Sequence, residues 1–561
     1  MRRLAACLLA AAAFAAPARA QPVELMPGVT FDRTVQFTPH GVVVLNVITA
    51  PRPGGLYRLA PVLAGGAVAG APSRLTAIEQ SLSGSATVAG INGDFFDRRD
   101  GHPAGVVLSG GVLAHPPAAG RSSIGVDAGG LLHVDRVKLF GTWRGTGQRR
   151  TLNELDQAPA SGQYALFTPA WGPAAPAVPG AAEVVLEPFP AAAPNSDLVS
   201  SVVRVSANGG ERIPADGAVL MASGSAASAA LRAEAPPGAA ITVRLGLLPA
   251  WTGMVDALGG GPLLVRAGKP VFHSLEDLTN DQVTARDPRA AVGQLADGRI
   301  LLVAVDGGGP GYSVGLTSYE LAKALAGLGA VTACGLEPGN DVAAAFDGRL
   351  LSRPAAGERP IREALLVEYA GVYAPDLPLP LLNGDPGRTT EPLVYRLVRP
   401  STVTAQLVAP DGGLRPLESG VQQPPGTYTL PLPALDEEGA WRLRVDAVDD
   451  LGRASTAERS FRYDTTLAGL SAPATARGRL TVRFTLSRPA SVRLVIETPA
   501  GIAARDLGPV ALPAGAQSLA WDGRLPGGTP AFPGAYVAHL YATSQVGTSD
   551  LVAHFAFRRA G

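Results

Sequence analysis

Cysteine is almost absent from this sequence: the 561 residues contain two, Cys7 and Cys334. The chain cannot be a small disulfide-stapled scaffold, and its stability has to come from packed cores. A charge of one sign is missing too, since 47 Lys and Arg balance 47 Asp and Glu. That balance supplies no basic surface to neutralise a nucleic-acid backbone or seek an anionic membrane, so no nucleic-acid partner is expected. Aromatics make up only 6%. Beyond the first twenty residues no apolar run approaches the ~18 residues that a membrane span requires, and no integral span is expected in the processed chain.

Glycine and proline are what the sequence does have, with 68 and 50 residues. At about a fifth of the chain they stay below the ~25–30% at which disorder becomes the better reading, and they suggest short strands joined by tight turns. At ~150 residues per domain the length predicts three or four units. Residues 1–20 read as a signal peptide: Arg2 and Arg3 precede the apolar run Leu4–Ala16, and Ala18-Arg19-Ala20 supplies small residues for cleavage before Gln21. Cys7 opens the apolar run instead of following it, which does not fit a lipid anchor. A secreted, periplasmic or cell-surface protein is expected, with Cys334 a buried core residue in the apolar stretch VTACGL.

Along the chain, GVVVLNVI near Val42 and the run Ala86–Ile91 read as buried strands, the second delivering Ile91-Asn92-Gly93-Asp94-Phe95-Phe96-Asp97 to its C-terminal end. Leu131–Leu139 reads as one further strand. Thr76 and Glu79 have the spacing of a capping box, as do Thr317 and Glu320, where Leu316 and Leu321 form a staple and Gly329 a stop. Residues from about 150 to 250, rich in Ala, Pro and Ser, read as a β-rich insertion. After Tyr369 an internal repeat begins. YRLVRPSTV at Tyr395 aligns with FTLSRPASV at Phe484, and PPG at Pro424 with PAG at Pro513, at the same offset; GAW at Gly439 aligns with GAY at Gly534 six residues later. Two alternating-strand units of this length read as β-sandwiches. The expected architecture is an α+β catalytic-type domain with mixed sheets and a β-rich insertion over 21–370, then immunoglobulin-like sandwiches over 371–465 and 466–561.

Ordered motifs carry a resemblance over most of residues 30–370. They are Asn92-Gly93-Asp94-Phe95-Phe96, then Gly101, Pro103 and Gly105, then Ile124-Gly125 and Gly260-Gly261-Pro262-Leu263-Leu264. Pro288-Arg289-Ala290-Ala291-Val292-Gly293, Val305-Asp306-Gly307 and the closing Pro360–Val367 with Arg362 complete the series. In this order they resemble the phosphodiester glycosidases, the family of the lysosomal uncovering enzyme. The two repeats look like the immunoglobulin-like module of the flagellar hook-capping family.

The resemblance implies cleavage between a sugar's anomeric carbon and a phosphodiester. Such chemistry needs a carboxylate near the carbon where positive charge develops, and cations or N–H donors around the departing phosphate. Asp94, Asp306 and Glu337 are the candidate catalytic carboxylates. Asn92, Gly93, His102, Arg289, Gly307, Asn340 and Arg362 are the candidate substrate-binding residues, with the two arginines on phosphate. Asp97 and Asp100 lack the spaced oxygen ligands of a calcium loop, so no metal and no cofactor is expected.

One segment departs from the family pattern. Where the family carries Leu-Asp-Gly-Gly-Gly-Ser, this chain has Leu336-Glu337-Pro338-Gly339-Asn340-Asp341. Glu337 lengthens the carboxylate by one methylene, Pro338 removes an amide donor, and Asp341 brings a negative charge in place of a hydroxyl. Two functions therefore stand side by side. One is a secreted hydrolase of sugar phosphodiesters in envelope or extracellular glycans, whose C-terminal modules could touch cell-envelope polymers. The other is a non-catalytic carbohydrate- or envelope-binding protein on a degenerate glycosidase fold.

Overall fold

The structure is a computed structural model. It describes residues 22–559 apart from 99, 100, 208, 273, 310, 378–380 and 384–391. The signal-peptide reading of residues 1–20 and the reading of Asp100 lie outside the described residues. The chain divides into two compact units, Met1–Tyr369 and Ala370–Gly561.

The first unit is built of sheets. Its largest sheet runs in the order Val23–Met26, Val29–Thr38, Gly41–Ala50, Ile300–Val305, Arg289–Leu295, Ala330–Gly335, Leu263–Arg266 and Lys269–Pro270. The three central strands are almost wholly buried, which is why they read as continuous apolar runs instead of alternating ones. A five-stranded sheet places Thr87–Asn92 between Ala344–Phe346 and Glu363–Tyr369. Another holds Ser123–Asp127, Met254–Gly259 and Val107–Ser109. The remaining eight-stranded sheet takes its strands from residues 138–248.

This architecture corrects three expectations. The fold is mostly β, not α+β: among the described residues the α-helices are Leu75–Ser81, Ser225–Glu234, Asn280–Thr284 and Ser318–Gly327, and each is short. The sheets of this unit are hardly mixed either. Among the described residues only Glu154–Leu155 pairs parallel, with Tyr164–Phe167. Short glycine-punctuated connections favour antiparallel neighbours, whereas parallel pairs need long crossovers. The stretch Leu131–Leu139 is also not one strand, because Leu132–Asp135 and Lys138–Arg144 belong to different sheets.

Of the two capping boxes, one forms. Thr317 Oγ1 accepts from Glu320 N–H while the Glu320 carboxylate accepts from Thr317 N–H at 3.0 Å. At Thr76 a distant carboxylate wins: Glu358 accepts from both the amide and the hydroxyl of Thr76 at 2.8 Å. Glu79 is instead buried and accepts from the Gly348 amide at 2.8 Å.

The second unit contains two cores with the same layout. One five-stranded sheet includes Ser401–Val408, Gly439–Asp449 and Ala454–Asp464, and faces the pair Leu393–Leu397 and Gly426–Leu430 around Trp441 and Tyr395. The other includes Ala490–Glu497, Gly534–Thr543 and Thr548–Arg558, and faces Leu467–Ser471, Leu480–Leu486 and Gly515–Trp521 around Trp521 and Tyr536. The extra residues of the second copy form a turn in which Trp521 Nε1 donates to Arg524 O at 2.8 Å.

Candidate active site

Three strand ends meet in the first unit. Thr87–Asn92 runs out into Gly93 and Asp94, Ala330–Gly335 into Leu336 and Glu337, and Glu363–Tyr369 begins beside them. Backbone bonds sew the ends together: Gly93 N–H donates to Glu363 O at 2.8 Å, and Glu337 N–H to Gly93 O at 3.1 Å. Asn92 completes the seam. Its amide nitrogen donates to Glu337 O at 2.9 Å and its oxygen accepts from Ala343 N at 3.3 Å. Gly93 has no alternative here, because a Cβ would lie 2.6 Å from the Glu363 backbone oxygen and Cγ. Asn92 and Gly93, expected to bind substrate, thus hold the acidic residues in place.

Asp94 is buried and paired with a residue absent from the sequence-level candidates. Arg121 Nη1 and Nη2 donate to its two oxygens at 2.7 and 3.0 Å, and Nη1 also reaches Gly260 O at 3.3 Å. The guanidinium lies over the Phe95 ring, 4.6 Å from its centroid. Gly105 and Gly259 pack so tightly on the Asp94 carboxylate that neither could carry a Cβ without displacing it. Burial raises the Asp94 pKa while Arg121 pulls it down. A planar bidentate pair of this kind fixes the carboxylate in orientation as well as charge.

Glu337 sits beside this pair in a different electrostatic setting. Burial first, then the nearby Asp341, push its pKa up to about 8, against the opposing pull of Arg98. Arg98 Nη2 contacts Glu337 Oε1 at 3.2 Å and Asp341 Oδ2 at 2.5 Å. Its side chain is 62% exposed, whereas those of Glu337 and Asp341 are 8% and 2% exposed, so Arg98 forms the outer edge of the cluster.

Glu363 is an acid that the sequence did not single out. It is 1% exposed, and neither side-chain oxygen has a hydrogen-bond partner among the described residues. Burial and then Asp94 push its carboxyl well above the ordinary range, Arg362 acts in the opposite direction, and Glu337 raises it further. The signal for Arg121 lies in the stretch Arg121-Ser122-Ser123-Ile124-Gly125, three residues before the Ile124-Gly125 motif. Glu363 gave no signal, because an acid opening an apolar strand looks like an exposed strand end.

The other expected residues are distributed differently. Asp306 is buried at the end of Ile300–Val305, where its carboxylate accepts from Tyr312 Oη at 3.0 Å and Arg353 N at 3.1 Å. Gly307 packs on Pro288, whose oxygen accepts from Gly339 N at 2.9 Å, so this turn buttresses the Glu337 segment. His102 stacks edge-on against Trp171, with centroids 4.9 Å apart. Asn340 is exposed in the turn after Gly339.

The phosphate roles expected for Arg289 and Arg362 need correction. Arg289 Nε donates to Leu316 O at 2.9 Å, Nη2 to Ala285 O at 2.6 Å, and Nη1 to Gln282 O. Arg362 is fully buried and donates to the carbonyls of Ala67, Val68 and Gly70. Both guanidiniums satisfy loop carbonyls that burial would otherwise leave unpaired.

Comparison with known proteins adds to this geometry. No curated protein matches the sequence. A hypothetical protein from Synechocystis is 25% identical with a TM-score of 0.52; the match covers 64% of each chain, so this chain spans just under two thirds of that protein. A Burkholderia pseudomallei protein is 22% identical with a TM-score of 0.47, over 58% of this chain and 74% of that one. The zebrafish N-acetylglucosamine-1-phosphodiester alpha-N-acetylglucosaminidase catalytic domain is 12% identical with a TM-score of 0.34, over 63% and 85%. Residues 191–368 match the phosphodiester glycosidase family and residues 469–545 the FlgD Ig-like domain family.

Proposed function

We propose that the first unit is a secreted hydrolase that cleaves the bond between a sugar's anomeric carbon and a phosphodiester, with envelope or extracellular glycans as substrates. The observation that carries this reading is the Asp94–Arg121 pair set beside Glu337 at one junction of strand ends. Asp94, oriented by its two bonds to Arg121, opposes the positive charge that develops on the anomeric carbon. Glu337 exchanges the proton. Being near its pKa in neutral solution, it can protonate the phosphate oxygen as the C–O bond breaks, or take a proton from the incoming water. Water's oxygen ends on the sugar carbon, and the departing group is a phosphomonoester. The signal-peptide reading of residues 1–20 supports export, and the C-terminal sandwiches serve as spacers or envelope contacts.

The test uses a sugar-1-phosphodiester of 4-nitrophenol with a coupled phosphatase, so that cleavage releases colour. Turnover by the full chain that disappears in Asp94→Asn supports the proposal. A wild-type rate no higher than that of the variant sinks it.

A second reading, a non-catalytic glycan-binding protein, draws on the engagement of Arg289 and Arg362 with backbone carbonyls. It requires binding of glycan fragments without turnover. Restoration of turnover by changing residues 337–341 to the family pattern would favour it.

A further inference from the structure

Glu363 has a feature that the proposed chemistry leaves unused: a buried carboxyl group that bonds to none of the described residues. Its oxygens have no partner among the described residues, and its side chain is 1% exposed. The nearby cations are already engaged. Arg121 makes two bonds to Asp94, Arg98 bridges Glu337 and Asp341, and Arg362 donates to carbonyls at residues 67–70. Burial, then Asp94 and Glu337, push this carboxyl well above the ordinary range against the opposing pull of Arg362 and Arg121, which favours the neutral acid.

A neutral carboxylic acid carries an O–H that must donate somewhere, and leaving it unpaired in the interior costs stability. The surroundings are nonetheless shaped around it. Gly93 is cut back to the backbone where the Glu363 methylenes pass, and Asn92 and Gly93 lock the strand ends on either side. Groups kept at a cost to folding are found where a ligand supplies the missing partner.

We propose that Glu363 is a ligand-binding residue whose carboxylic acid O–H donates to an oxygen of the bound sugar phosphate, a hydroxyl or a phosphoryl oxygen. The ligand class rests on the hydrolase reading above, whereas the vacancy at Glu363 does not. Arg98 is the most exposed group of the cluster. The donor is neutral, so it adds no further negative charge against phosphate in a region already containing Asp94, Glu337 and Asp341.

The experiment uses the full chain and three variants: Glu363→Gln, which keeps a donor; Glu363→Met, which keeps the length without a polar atom; and Asp94→Asn. Hydrogen exchange of peptides covering Thr87–Asn92 and Glu363–Tyr369 reports local stability. Glu363→Met should slow exchange by about 5-fold or more, because an orphaned polar group has been removed. In the chromogenic assay it should lower kcat/KM by about 10-fold or more, while Glu363→Gln recovers most of that loss. Binding of glucose 1-phosphate, followed by calorimetry, should follow the same order. Faster exchange in Glu363→Met would mean an internal partner holds the carboxyl, and unchanged exchange would remove the vacancy; either overturns the proposal whatever the turnover. Equal affinity of wild type and Glu363→Met for glucose 1-phosphate also overturns it. A wild type that binds without turning over defeats only the hydrolase reading, and one that does neither defeats both.

Discussion

Replacing Glu337 with glutamine separates the two consequences of its position, one on stability and one on rate. The folded protein holds the Glu337 proton up to about pH 8, while the unfolded chain releases it at the ordinary 4.5. The native state therefore binds more protons between these values. Its stability contribution is complete below pH 4.5 and drains away as the pH climbs to 8. Linkage over that window gives a loss of about 3–4 kcal/mol between pH 5 and pH 8 from this one group, an order-of-magnitude figure. Glutamine has nearly the shape of the neutral acid and does not titrate.

Calorimetry of the full chain at pH 5, 6.5 and 8 provides the assay. The transition that responds to the substitution belongs to the first unit, and its midpoint should fall with pH more steeply in wild type than in Glu337→Gln. At about 2 °C per kcal/mol for a unit of this size, the two curves should diverge by several degrees at pH 8. Glu79 and Asp156 are also buried and raised, but they are common to both proteins and cancel in the difference. Parallel curves from pH 5 to pH 8 would refute the assignment of a retained proton to Glu337. In the chromogenic assay the variant should lose turnover by about 100-fold or more, and the wild-type rate should bend near pH 8.

Three further outcomes follow from the same geometry. Arg121→Met strands the Asp94 carboxylate in the interior and should cost about 3–5 kcal/mol of first-unit stability by calorimetry; the double variant Asp94→Leu/Arg121→Met should regain much of that while remaining inactive. Gly259→Ala alters no titratable group, but its Cβ meets the Asp94 carboxylate; a loss of about 1–3 kcal/mol, with turnover falling alongside, is expected. Arg98→Gln removes an exposed guanidinium whose ion pairs are largely solvent-screened, so stability should change by less than about 1 kcal/mol while KM rises several-fold, and a large stability loss with KM unchanged would contradict its place at the rim.

The sequence made the framework legible where local signals agreed with burial. The apolar strands at Gly41, Thr87, Ile300 and Ala330 and the box at Thr317–Glu320 each rest on contiguous residues. So does the repeat, whose strands Ser401–Val408 and Ala490–Glu497 occupy equivalent places in their sheets. Thr76 shows the limit: its local partner Glu79 stands at the right spacing, but Glu358, 282 residues away, takes the bonds. No local pattern encodes that choice. The arginines show it again. Arg289 and Arg362 lie within motif-like stretches yet answer unpaired loop carbonyls, while Arg121 and Arg98, which reach the acids, sit 27 and 4 residues from Asp94 in turns.

The charge balance of the cluster limits what it can bind. Asp94, Glu337, Asp341 and Glu363 face Arg98 and Arg121, so with every acid ionised the cluster would repel a phosphate. Burial raises the pKa values of Asp94, Glu337 and Glu363, and a proton kept at Glu337 or Glu363 makes an anionic substrate compatible with an acidic site. In the proposed hydrolase, burial does two things at once: it supplies a proton donor beside the anomeric carbon and removes negative charge from the path of the phosphate. The same reasoning explains why Glu337 and Glu363 cannot be exchanged for solvated carboxylates. Opening the cluster to water would ionise both acids, and the affinity for phosphate would fall together with the donor.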